Sequence, residues 1–183
     1  NMINNEYEFI FMHIMKTGGS SIEKLFNYEG IKHQRPIELI NILGQTTWDS
    51  YFKFTFVRNP WDRTVSEYFY RRKKGSVATD FKSWLKSMSR DSWAIGLQSN
   101  WLQDKNFDFI GRFENLQEDF EFVCQQINYP KVELPHMNST SHEHYSMYYD
   151  EETKEIVREW HQRDIEKFNY DFCNTMSTND KLI

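Results

Sequence analysis

A chain of 183 residues has the length of one domain and can bury a sizeable core. Its 22 Lys and Arg against 27 Asp and Glu give a net charge of −5, which argues against a protein that coats a polyanion and so against a nucleic-acid partner. Fifteen Phe, ten Tyr and six Trp are spread along the chain with only seven Gly and four Pro, which excludes a linker or low-complexity segment and leaves one unit over residues 2–183.

Residues 8–14 form an apolar run that reads as a buried strand, too short and too charged at its flank for a signal peptide or a membrane span. The string Met15-Lys16-Thr17-Gly18-Gly19-Ser20-Ser21 follows, and then Ile22, Leu25 and Phe26 at helical spacing. Ser20 and Glu23 stand three apart, as in a capping box. A short helix is expected over 36–43 and a second buried strand over 51–57, rich in aromatics. That strand runs into Arg58-Asn59-Pro60-Trp61-Asp62, where Asn59 fits an N-cap and Pro60 a first helical position. The helix behind them extends to about Lys74, and its basic run, residues 71–74, reads as a solvated helix C-terminus in preference to an anion site.

Amphipathic helices are expected over 80–88 and 92–103, a third strand over 107–113, a helix over 116–127, a polar loop over 130–146 and a closing helix over 151–168. Strands alternating with helices predict a three-layer α/β fold with a mainly parallel sheet flanked by helices. In such sheets ligands bind beyond the carboxyl ends of the strands, where the turns at Lys16 and Arg58 both fall. Cys124 and Cys173 sit in unrelated contexts with no metal or redox spacing, which suits a reducing compartment. A cytoplasmic protein with no membrane partner is the expectation.

Two turns carry chemistry. In the first, Gly18 and Gly19 let backbone N–H groups approach an anion, the following helix start adds its dipole, Thr17, Ser20 and Ser21 add hydroxyls, and Lys16 adds a point charge. The Walker pattern G-x-x-x-x-G-K-[ST] is absent, since Lys16 precedes the glycines, and this disfavours an ordinary kinase or NTPase. In the second, Arg58 offers a planar fork suited to phosphate oxygens and Ser66 lies about two turns into the helix. A salt bridge and plain helix filler are the alternative readings of these two.

Together, FMHIMKTGGSSI and FVRNPWDRTVSEY resemble the sulfotransferases that use 3′-phosphoadenylyl sulfate (PAPS), and within them the carbohydrate branch containing the uronyl 2-O-sulfotransferases. The likeness extends through FDFIGRFENL at 107–116 and DIEKFNYDF at 164–172, nearly the whole chain. It implies the P-loop-like nucleotide-binding fold of that family. It also implies sulfuryl transfer from PAPS to a carbohydrate or small-molecule hydroxyl, with PAP as product and no metal. By the same resemblance Lys16 stabilises charge on the leaving phosphosulfate, the amides and hydroxyls of Thr17, Gly18, Gly19, Ser20 and Ser21 hold the 5′-phosphate, and Arg58 and Ser66 hold the 3′-phosphate.

An attacking hydroxyl needs a general base. In the resembled branch a histidine between the donor turns serves, and His33 is the one histidine between Lys16 and Arg58. His13 reads rather as a strand residue under the sheet edge. His136, His142 and His144 lack a third fixed metal ligand; a loop over the donor, with Asn138 to His142 near a phosphate, is the better reading. Arg112 and Glu114 are equally suited to ligand contact and to mutual pairing. Trp101 and the tyrosines of 145–149 can stack on a sugar ring or fill the core. The net charge favours a neutral sugar or small hydroxyl compound over a highly sulfated polymer. Two rivals stay open: a kinase-like nucleotide-dependent transferase, and a non-catalytic nucleotide-binding or interaction module on the same fold.

Overall fold

The computed structural model of the chain describes residues 2–30, 33–89, 95–135 and 142–173. These residues gather into two compact units, one taking in those within 2–57 and 98–135, the other those within 58–97 and 142–173. The strands are β1 (Met2–Asn4), β2 (Phe9–Met12), β3 (Phe52–Val57) and β4 (Phe109–Arg112). The helices are α1 (Gly19–Leu25), α2 (Pro36–Leu43), α3 (Gln45–Ser50), α4 (Pro60–Lys73), α5 (Phe81–Ser87), α6 (Ser99–Leu102), α7 (Leu116–Gln126), α8 (Glu151–Trp160) and α9 (Gln162–Lys167).

The first unit holds a four-stranded sheet in the order β1-β2-β3-β4. β2, β3 and β4 run parallel, with Phe11 opposite Phe54 and Phe56 opposite Gly111, while β1 joins β2 antiparallel. Both faces of β2 are covered, which is why its sequence is a continuous apolar run rather than an alternation. On one face Phe9, Phe11, Phe54 and Phe56 meet Ile22 of α1 and Phe120, Val123 and Cys124 of α7. On the other, Ile10 meets Leu39 and Ile40 of α2 and Trp48 of α3. The unit is thus a mainly parallel sheet between two helical layers, as expected. β1 was not foreseen, because three residues carry no readable alternation.

In the second unit, α4 starts as anticipated: Pro60 is its first residue and the Asn59 Oδ1 accepts from the Trp61 N–H at 3.0 Å. Its last turn carries Arg71, Arg72 and Lys73, so the basic run is a helix C-terminus facing the dipole. Asp80 caps α5 and Asp150 caps α8, each through a carboxylate that accepts from an N–H one turn on. Trp61, Val65 and Tyr68 of α4 form a core with Phe81, Trp84 and Leu85 of α5 and Val157 of α8. The single closing helix expected over 151–168 is two helices, because the chain leaves helical geometry at His161 (φ −113°). Of the helix expected over 92–103, residues 92–94 lie outside the described residues and the remainder forms only the single turn of α6. No helix among the described residues is long and apolar enough to cross a membrane.

Candidate functional site

The parallel pairing of β2 and β3 sets their carboxyl ends side by side, and each end feeds one of the two turns singled out in the sequence. From β2 the chain passes through His13 and Ile14 to Lys16, which is half-buried and takes a left-handed backbone (φ +66°). Thr17 is fully buried and its hydroxyl donates to the Ile14 carbonyl at 2.8 Å, so that proton is spent inside the turn. Gly18 is again left-handed (φ +84°), and a Cβ there would stand 2.7 Å from a Leu116 methyl. Only glycine fits both conditions. At Gly19 a Cβ would fall 2.2 Å from the His13 ring, so α1 begins in direct contact with that imidazole. Ser20 is half-buried and Ser21 buried, with the Ser21 N–H donating to the Gly18 carbonyl at 3.0 Å.

The capping box expected between Ser20 and Glu23 does not form, because Gly18 is the N-cap and no side chain caps α1. Glu23 instead turns inward, where its Oε1 accepts from Nδ1 of His13 at 2.8 Å with both side chains buried. A buried imidazole N–H needs an acceptor, and that requirement outweighs the cap. Glu23 therefore contacts His13 instead of capping α1; nothing in the spacing of positions 13 and 23 marks the contact.

His33 joins the same cluster. Its Nδ1 lies 3.0 Å from the His13 carbonyl, which can only accept, so Nδ1 carries the proton and the neutral ring keeps its lone pair on Nε2. The His33 and His13 rings are 4.8 Å apart, and Trp101 approaches His33 edge-on at 6.2 Å. Partial burial lowers the His33 pKa, more than the His13 carbonyl and the Glu23 charge raise it. The imidazole is thus neutral near pH 7, the form a proton acceptor needs. Lys16, Thr17, Gly18, Gly19, Ser20, Ser21 and His33 all belong to the first unit, with His13 linking the turn to His33.

Arg58 and Ser66 belong to the second unit. Arg58 follows Val57 directly and is only 8% exposed. Its Nε and Nη2 donate to Asp62 Oδ2 and Oδ1 at 2.8 and 3.0 Å, a two-bond fork one helical turn apart. The salt-bridge alternative for Arg58 is therefore real, but it is buried rather than on the surface, and it fixes the plane of the guanidinium. Asp62 was not singled out from the sequence, although its i+4 spacing from Arg58 could have indicated it. Ser66 is buried on α4. Nearby, Arg63 is fully buried: burial pulls its pKa down to about 10 against the Asp164 and Glu67 carboxylates, and Nη1 donates to the Gly96 carbonyl at 2.8 Å.

Of the remaining candidates, Trp101 lies against His33. His142 stacks on Phe69 at 4.7 Å and donates to the Glu143 carbonyl, and His144 pairs with Ser146 at the head of a short 3₁₀ turn. His136 and residues 138–141 lie outside the described residues. Arg112 is buried at the end of β4, where its N–H donates to Asp119, and Glu114 is exposed on the turn that follows. Trp101 is buried, as is Tyr145, whose hydroxyl donates to the Phe172 carbonyl. Burial pushes the Cys124 thiol up to about 11, while Cys173 is exposed. Among the described residues no group of three or more His, Cys, Asp or Glu is placed to hold a metal ion.

An uncharacterized protein of Archaeoglobus fulgidus is 30% identical over 121 residues, which cover 57% of this chain and 91% of that protein. No solved structure gives a significant match. The model of the Sulfotransferase family matches residues 1–171, a span that takes in both turns, His33 and the whole sheet, and the chain belongs to that family.

Proposed function

We propose that the protein is a PAPS-dependent O-sulfotransferase of the carbohydrate, uronyl 2-O-sulfotransferase-like type. Lys16 stabilises charge on the leaving phosphosulfate, and His33 takes the proton of the acceptor hydroxyl. The amides of residues 17–21, with the hydroxyls of Ser20 and Ser21, hold the 5′-phosphate, and Arg58 with Ser66 holds the 3′-phosphate. The observation that carries this reading is the state of His33. A neutral imidazole with its proton fixed on Nδ1 presents a basic Nε2, and its anchor, the His13 carbonyl, lies three residues before Lys16. The base is thereby tethered to the strand end that supplies the charge-stabilising lysine.

In the reaction the acceptor oxygen attacks sulfur in line, the bond from sulfur to the phosphate oxygen breaks, and the acceptor proton passes to His33 Nε2. Neutral sugars and small hydroxyl compounds are the favoured acceptors, given the net charge of −5. Screening such acceptors with radiolabelled PAPS tests the reading directly. With a working acceptor, His33→Ala is expected to lower kcat by ~10²–10⁴-fold with donor affinity nearly unchanged. Lys16→Ala is expected to weaken both, because its charge serves donor and transition state alike. Near-normal turnover in His33→Ala would place the base elsewhere.

A further inference from the structure

We infer that Glu23 and the side chain of His13 are positioning residues for His33: the carboxylate-anchored imidazole fixes residue 13, whose backbone carbonyl keeps the base in the Nδ1–H tautomer. The inference rests on the reading of His33 as the base. Its physical basis is a connected set of contacts within the first unit. The His13 ring meets two others, stacked with Phe11 at 5.9 Å and tilted against His33 at 4.8 Å. The start of α1 presses on it at Gly19, and one turn later Glu23 accepts its Nδ1 proton at 2.8 Å. Ring stacking and close approach leave the imidazole little room to rotate, and the carboxylate selects the rotamer that remains.

The main chain at the same residue does the second part of the work. The His13 carbonyl accepts the Nδ1 proton of His33 at 3.0 Å, so the orientation of residue 13 dictates the tautomer of residue 33. His33 itself has a left-handed backbone (φ +60°), a conformation that persists in a non-glycine residue only where its surroundings over-determine it. Glu23, from α1, and His13, just after β2, both act electrostatically on His33, the first favouring and the second opposing its protonated form. Stability alone does not explain the couple. Replacing a buried charged pair by apolar side chains of similar volume is often neutral or stabilising, which leaves orientation of His33 as the role we infer for it.

Histidine ¹H–¹⁵N correlation spectra of the full chain test this without any acceptor, with the His33 signal identified by its loss in His33→Gln. The wild-type protein is expected to show His33 as the Nδ1–H tautomer. Glu23→Gln, which keeps an acceptor for His13, should retain that tautomer and most of the turnover. Glu23→Met, which removes the acceptor at similar volume, should give mixed tautomers and a kcat lowered about tenfold or more, the scale of lost outer-shell support at other sites. If Glu23→Met does not fold, Glu23→Asp withdraws the acceptor by one methylene and replaces it in the comparison. An Nε2–H tautomer in the wild type, or a wild-type tautomer in the folded variant lacking the acceptor, overturns the inference. Turnover that survives in His33→Gln would instead defeat the base assignment, whatever the tautomer proves to be.

Discussion

Arg58 shows what a single side chain can be asked to do. Two of its N–H groups are committed to the Asp62 carboxylate, so the guanidinium is held as an oriented plane rather than a mobile charge. A lysine could keep the charge but could not form two parallel bonds to one carboxylate. In the proposed contact with the 3′-phosphate, orientation as well as charge matters. Arg58→Ala is then expected to weaken PAP by about 10- to 100-fold, the worth of a charged hydrogen bond, while AMP binding changes little. Arg58→Lys should recover only part of the loss. Calorimetry with both nucleotides checks this, and equal losses for PAP and AMP would mean that Arg58 does not read the 3′-phosphate.

At the level of elements, the two strand-to-helix turns differ in how they are secured. α4 has a conventional start: Asn59 accepts from the first-turn amides, and its Nδ2 also donates to the Asp171 carbonyl at 2.9 Å, a tie to the end of the second unit's chain. Asn59→Ala is therefore expected to lower stability by about 1 kcal/mol or somewhat more, measured by urea unfolding, because one residue supplies both the cap and the tie. An unchanged midpoint would mean that solvent satisfies those amides equally well. This start was legible because Asn-Pro before an apolar helical stripe is a purely local signal. So were α2, found over the expected 36–43, and β3, found one residue shorter than expected. α1 was legible in position but not in its cap, since the fate of Glu23 is set by His13, ten residues earlier and on a strand. The break at His161 was missed for a different reason: apolar periodicity continues across it while the backbone does not.

Across the whole molecule, the family match concerns sulfuryl transfer, and the proposed donor is an anionic nucleotide. What separates sulfuryl from phosphoryl transfer is charge. A transferring phosphoryl group carries enough negative charge that Mg²⁺ usually bridges it. A sulfuryl group carries less, and a lysine with backbone amides is an adequate electrostatic partner. In this chain Lys16 precedes the glycines instead of following them, so the turn departs from the arrangement that nucleotide kinases use to share phosphates with a metal ion. Turnover with PAPS and a working acceptor is accordingly expected to persist undiminished in excess EDTA, and added Mg²⁺ should not raise it. Initial rates with and without chelator, at fixed ionic strength so that screening does not change, measure this. A loss in EDTA that Mg²⁺ restores would reassign the turn to a kinase-like transferase.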